Sequence, residues 1–239
     1  MKSCQENKQV SKVSITVSSK VSESHEQAVS LFGQAGTWLG GKNRTAIWAE
    51  ARHAADCELC LASKQALSPY ALSGKHSTCT DLSTNIIEVV HRIKNDSGRL
   101  TKRWFDEQIA TGLSREEYVE ILSLVATSII LDSYSKSMGL SDYIIPTPQG
   151  GEPSRILNPD VIDEGAWLPM TKAEQQVEEH GLPDIPNIAR AMGLVPSGMM
   201  HFFGAMRAHY SLVGDDFGIS RSQIELIAAR VSSHNECFY

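Results

Sequence analysis

Ser114, with Glu117 three residues on, forms the sequence signature of a capping box, and behind it Tyr118, Ile121, Leu122, Val125, Ile129 and Tyr134 carry an apolar stripe as far as Gly139. A helix of this length must bury its stripe against other helices, because packing rather than intrinsic propensity stabilises it. The neighbouring segments supply such partners. Helical spacing of apolar residues predicts helices over 25–39, 44–55, 56–68, 81–96 and 102–110, and further ones over 171–180, 187–192, 197–209 and 220–233. Strand-like alternation is nearly absent, so an all-α fold is expected.

Between Leu140 and Met170 the helical pattern gives way to Pro146, Pro148, Gly150, Gly151, Pro153, Pro159, Gly165 and Pro169. The expected organisation is a flexible lead-in at 1–24, a first helical unit at 25–140, a Pro/Gly-rich linker at 141–170 and a second, incomplete helical unit at 171–239. Lys and Arg total 22 against 28 Asp and Glu, a net charge of -6, and no basic cluster could track a phosphate backbone. Nucleic acid is therefore not an expected partner. No apolar run reaches the roughly 20 residues of a membrane span, and the first 24 residues lack the apolar centre of a secretory signal, so no membrane association is expected.

Five cysteines, Cys4, Cys57, Cys60, Cys79 and Cys237, are too irregular for a disulfide framework, and their odd number points to reduced thiols and a cytoplasmic protein. Cys57 and Cys60 form the only Cys-x-x-Cys. Asp56 is the expected N-cap of their helix, which would set both thiols in a first turn whose free N–H groups favour thiolate. Redox chemistry, metal binding and a pair of inert buried cysteines all remain open for this spacing. For redox work a proton relay is needed. Glu50, seven residues before Cys57 and on the same face of a continuous helix, is the candidate, with His53 a second and Lys64 a possible charge nearby. The metal reading adds His76 and Cys79, giving Cys57, Cys60, His76 and Cys79 at zinc-finger-like spacing. The four tryptophans and the methionines Met192, Met199, Met200 and Met206 read as packing residues.

Residues 41–57 align without gaps over 221–237, both ending in a cysteine, as a duplicated helix-thiol unit would. The stretch Ser222-Gln223-Ile224-Glu225-Leu226-Ile227-Ala228-Ala229-Arg230-Val231-Ser232-Ser233-His234-Asn235-Glu236-Cys237, the helix from Tyr118 to Leu140 and the Cys57–Cys60 segment together resemble the alkylhydroperoxidase D and carboxymuconolactone decarboxylase superfamily. That family's redox pattern is Glu-x11-Cys-x2-Cys-x3-His. Glu225 and Cys237 fit its first half and make a possible second site, while the sequence given ends at Tyr239, before the second cysteine of the pattern. In the first copy both cysteines are present, but Thr45 stands at the glutamate position and Lys64 at the histidine position.

The resemblance implies a duplicated, all-α, homo-oligomeric thiol peroxidase that needs no cofactor. Its substrate would be a small hydroperoxide and its partner a dithiol reductant. Cys60 would attack and Cys57 resolve, with Glu50, His53 or His76 standing in for the missing relay groups. The alternative is a non-catalytic helical assembly or a structural zinc domain.

Overall fold

The computed structural model describes residues 16–172, 186–209 and 218–234. The fold is all-α, as expected. In chain order the helices are α1 (Ser19–Gly33), α2 (Gly41–His53), α3 (Glu58–Gln65), α4 (Thr84–Asp96), α5 (Lys102–Ala110), α6 (Arg115–Met138), α7 (Asn187–Met192), α8 (Pro196–Met206) and α9 (Arg221–His234). Short 3-10 turns follow α2 at Ala54–Asp56, precede α4 at Pro69–Ala71 and follow it at Ser97–Arg99. One antiparallel pair, β1 (Val161–Ile162) with β2 (Met170–Thr171), completes the described elements.

Helix α6 is the axis of the fold, packing against α8, α4, α2 and α1. Its start is the capping box read from the sequence: the Ser114 hydroxyl accepts from Glu117 N and the Glu117 carboxylate accepts from Ser114 N. Its end is Gly139 at φ +65, a left-handed conformation that a side chain would strain. By length and composition α6 could cross a bilayer, which corrects the expectation that no segment approaches that size. Most of its apolar stretch is buried in protein, with Val119, Ile121, Leu124, Val125 and Leu131 all in the core.

Phe32, Ile47, Trp48, Ala51, Val89, Val90, Trp104, Phe105 and the α6 residues make one apolar cluster. Leu194, Val195 and Ala205, from beyond the Pro/Gly-rich stretch, belong to the same cluster. The stretch itself, expected as a linker, lays Tyr143, Ile145, Val161 and Leu168 against that core. It also donates Gln149 N to Gly33 O at 2.7 Å and Arg155 N to Thr37 O at 2.8 Å.

Several boundaries differ from the sequence expectation. Helix α1 begins at Ser19, inside the segment assigned to the lead-in, because Val21 and His25 already face the interior. It ends at Gly33 rather than Leu39. A Cβ on Gly41 would lie 2.2 Å from Gly33 O, so the backbones at the start of α2 and the end of α1 nearly touch and the intervening chain must turn sharply. Thr171, expected to open a helix, is in β2; residues 173–180 lie outside the described residues.

Buried charge pins α2 to α6. The Arg44 guanidinium binds the Glu120 carboxylate, whose other oxygen accepts Trp38 N at 2.6 Å, and both side chains are almost fully buried. A buried pair of this kind contributes orientation more than net stability, and removing either partner is costly.

Candidate thiol and imidazole site

The two thiols lie at the α2–α3 junction, although not as the sequence suggested. Asp56 sits in the 3-10 turn, and Cys57, with extended backbone at φ -69 and ψ 119, is the N-cap residue of α3. Cys60 alone is inside the first turn. The break at 54–56 also ends the two-turn face that would have aimed Glu50 at Cys57.

Glu50 nevertheless belongs to the site, through a residue that the sequence reading did not select. His91 on α4 is fully buried, and its Nε2 donates to Glu50 Oε1 at 2.9 Å while its Nδ1 faces Cys60 Sγ at 3.3 Å. The second Glu50 oxygen is held by the hydroxyls of Thr80 at 2.6 Å and Thr78 at 2.9 Å, and by Cys79 N at 3.3 Å. A parallel arrangement lies beside it. His76, in the extended chain before α4, points Nδ1 at Cys60 Sγ (3.4 Å) and Cys57 Sγ (3.5 Å) and donates Nε2–H to Glu88 at 2.9 Å. Glu88 is in turn fixed by Trp104 Nε1 at 2.9 Å. The sulfur of Cys57, the sulfur of Cys60 and one nitrogen each from His76 and His91 all lie within 4.8 Å of one another.

These contacts set the charges. Burial alone would raise both thiols, but the imidazoles outweigh it at Cys60, which is held below the usual thiol range. At Cys57 the N–H of Cys60, His76 and Ser77 overcome burial and bring the thiol to about 5. Burial pulls His76 down, yet Cys60, Glu88 and Cys57 raise it to about 10. His91 shows the same contest, with burial opposed and exceeded by Cys60 and Glu50, and ends above its ordinary value. Glu50 is lowered, because its hydrogen bonds from Thr80, His91 and Thr78 exceed the cost of burying it. The arrangement favours a pair of thiolates facing two imidazolium rings, each ring backed by a carboxylate.

Of the residues singled out from sequence, Cys57, Cys60, Glu50 and His76 are brought together. His53 stands one residue further out: its Nε2 contacts Ser77 Oγ at 3.0 Å, Ser77 in turn hydrogen-bonds Cys57, and its ring centroid lies 6.4 Å from that of His91. Cys79 does not join the ligand set read from the sequence: its N–H and its Sγ both go to Glu50 Oε2, at 3.3 and 3.8 Å, and the Sγ also to Ala49 O at 3.7 Å. His91 takes its place. Thr45, at the position where the family pattern has glutamate, is buried and donates to Gly41 O at 3.0 Å within its own helix, and Lys64 is exposed. Glu225 lies on α9 and pairs with Arg221, while Cys237 lies outside the described residues.

His91 and Glu88 were legible only in retrospect. The apolar stripe of α4 runs through Ile87 and Val90, and a histidine at position 91, one turn after Ile87, shares that buried face. Compared with protein-family models, curated proteins and solved structures, the chain matches none of them.

Proposed function

We propose that the protein is a cofactor-free thiol oxidoreductase that reduces small hydroperoxides through Cys60 and Cys57. The carrying observation is the buried line Glu50–His91–Cys60, with a carboxylate at 2.9 Å from one imidazole nitrogen and a thiol at 3.3 Å from the other. This is the nucleophile, base and orienting group that thiolate chemistry requires. Cys60 is favoured as the attacking sulfur because it retains 5% exposure where Cys57 has none, and because both imidazoles face it.

In the proposed cycle the Cys60 thiolate attacks one peroxide oxygen and the O–O bond breaks. The departing alkoxide takes a proton from the His91 imidazolium and leaves as alcohol, while Cys60 becomes a sulfenic acid. The Cys57 thiolate then attacks Cys60 Sγ, and the hydroxyl leaves as water with a proton from His76. Two thiols and one hydroperoxide thus give a disulfide, an alcohol and water. An external dithiol returns the disulfide to the reduced state by exchange, which suits a reducing compartment such as the cytoplasm. The superfamily resemblance in the sequence supports the same reading. It also supports a homo-oligomer, for which the exposed Leu226, Ile227 and Val231 on α9 are a candidate contact.

The test is thiol titration of the reduced full chain before and after a hydroperoxide. Loss of two thiols per chain is expected, with Cys60→Ser losing none from this pair rapidly. Retention of all thiols in the wild type, or an unchanged rate in Cys60→Ser, overturns the reading.

A further inference from the structure

The same four side chains have a second property that proton-relay chemistry does not require. We propose that Cys57, Cys60, His76 and His91 form a closed tetrahedral site for one zinc-class divalent cation in the reduced protein.

The geometry is the argument. A tetrahedral zinc with Zn–S near 2.3 Å and Zn–N near 2.0–2.1 Å requires sulfur and nitrogen ligands about 3.5 Å apart along each edge. Three of the four S···N edges are 3.5, 3.4 and 3.3 Å, close to that value, and all four ligand atoms lie within 4.8 Å of one another. Both histidines present the same atom, Nδ1, to the centre, and each donates its other N–H to a carboxylate, His76 to Glu88 and His91 to Glu50. That carboxylate–histidine arrangement keeps the Nε2 proton in place, so that Nδ1 becomes the ligand atom when a cation displaces its proton, and it increases the basicity of that nitrogen.

Position within the fold supports the same conclusion. The ligands come from three segments: the start of α3, the extended chain before α4, and α4 itself. A cation here would tie these segments together and offset two buried thiolates with two positive charges. Cys57, Cys60 and His91 are buried, so the four protein groups complete a site of the closed, structural type rather than one with an open position for substrate. Two soft sulfurs and two imidazoles favour zinc over magnesium or calcium, which take oxygen. Because the metal would use both sulfurs and both Nδ1 atoms, its occupancy and hydroperoxide turnover would exclude each other; that consequence, unlike the site itself, rests on the thiol reading.

The experiment uses the full chain, reduced and stripped of metal with a chelator, then loaded with one equivalent of zinc and, separately, of cobalt. X-ray absorption of the zinc form should show two sulfur and two nitrogen neighbours at the distances above, and the cobalt form should show tetrahedral d–d bands with a thiolate charge-transfer band. His91→Ala should weaken zinc binding by about a hundredfold or more, and Cys79→Ser by no more than a few-fold. Zinc should also shield two thiols from alkylation. An oxygen-rich or three-sulfur shell in the wild type, or a zinc affinity untouched by His91→Ala, overturns the proposal without depending on how well the variants fold. A metal-free protein that is inert to hydroperoxide while zinc still gives the two-sulfur, two-nitrogen shell would remove the thiol reading and leave the metal site standing.

Discussion

Helix α2 carries one charged residue into each of two buried histidine clusters, and the two behave oppositely. Toward its C-terminal end Glu50 meets His91, with Cys60 on the other side of the ring. Toward its N-terminal end Arg44 meets His201, whose Nδ1 lies 3.3 Å from the guanidinium and whose Nε2 donates to Ala28 O at 2.8 Å. Burial acts in the same direction on both rings, penalising the imidazolium. At His201 the neighbouring cation adds to that penalty, and the ring is driven down to about 4. At His91 the thiol and the carboxylate reverse it. Burial alone therefore does not mark a histidine as chemically active; the sign of the groups beside it does. His25, buried against Tyr143 and His209, follows His201 and falls to about 4, a second example of a packing histidine kept neutral.

The largest way to break this comparison is to remove the charge that balances Arg44. Glu120→Gln keeps an acceptor for Trp38 N but leaves the guanidinium buried without a counter-charge, and should cost about 3–5 kcal/mol. Urea denaturation should show this as a lower midpoint. The folded fraction should still lose its thiols to hydroperoxide at a rate within about twofold of wild type, because none of the Cys60 contacts involves Glu120.

Glu50→Gln tests the other cluster. The sulfur beside Glu50 is that of Cys79, at 3.8 Å, and Glu50 reaches Cys60 only through His91, so it acts as a positioning residue. Its replacement should slow thiol oxidation by about a hundredfold, within the usual range for loss of a general acid–base relay. A purely structural role would lower stability alone. Loss of the carboxylate should also move the falling limb of the pH–rate profile to lower pH, since Glu50 is one of the groups that hold His91 above its ordinary value.

How much of this was readable beforehand follows the range of the interactions. Helices α5 and α6 carry local signals: a capping box, a stripe and a terminal glycine are all written within the segment itself. The start of α1 was hidden because Ser19 to Ser24 reads as polar lead-in, and only packing against distant helices buries Val21. The Cys-x-x-Cys and Glu50 are both legible in the sequence, but a continuous helix face does not join them. The helix breaks at 54–56, and the carboxylate reaches Cys60 by way of a ring on α4, a contact between residues 41 apart in the chain. His91 in place of Cys79 is the same lesson: even spacing in sequence suggests a ligand set, and contacts with Glu50 hold Cys79 outside it.

The histidines also separate by pH. A group whose folded value lies below its unfolded one takes up a proton first in the unfolded chain, so acid favours unfolding. For His201, falling from 6.5 to about 4, stability is full above about pH 6.5 and declines as the pH drops toward 4, by on the order of 3 kcal/mol at the limit. His25 contributes in the same direction over the same window. His201→Asn, which cannot be protonated, should flatten that part of the stability–pH curve measured by urea denaturation. A variant curve parallel to wild type between pH 6.5 and 4 would remove His201 from the account.

The smallest expected effect falls at Thr45, where the family pattern places its acid. Thr45 lies near the Arg44 end of α2, and its hydroxyl is satisfied by the carbonyls of Gly41 and Lys42 in its own helix, at 3.0 and 3.1 Å. Such back-bonding holds a hydroxyl in a helix without stabilising it much. Thr45→Ala should therefore change stability by less than about 1 kcal/mol and leave the thiol oxidation rate within about twofold of wild type. The contrast with Glu50→Gln is the point of the measurement. If Thr45→Ala slowed oxidation as strongly as Glu50→Gln, the proton would be travelling by way of position 45, and the His91 relay would lose its claim. If only Glu50→Gln does so, the carboxylate acts from position 50, and the ring from α4 is what lets it act from there.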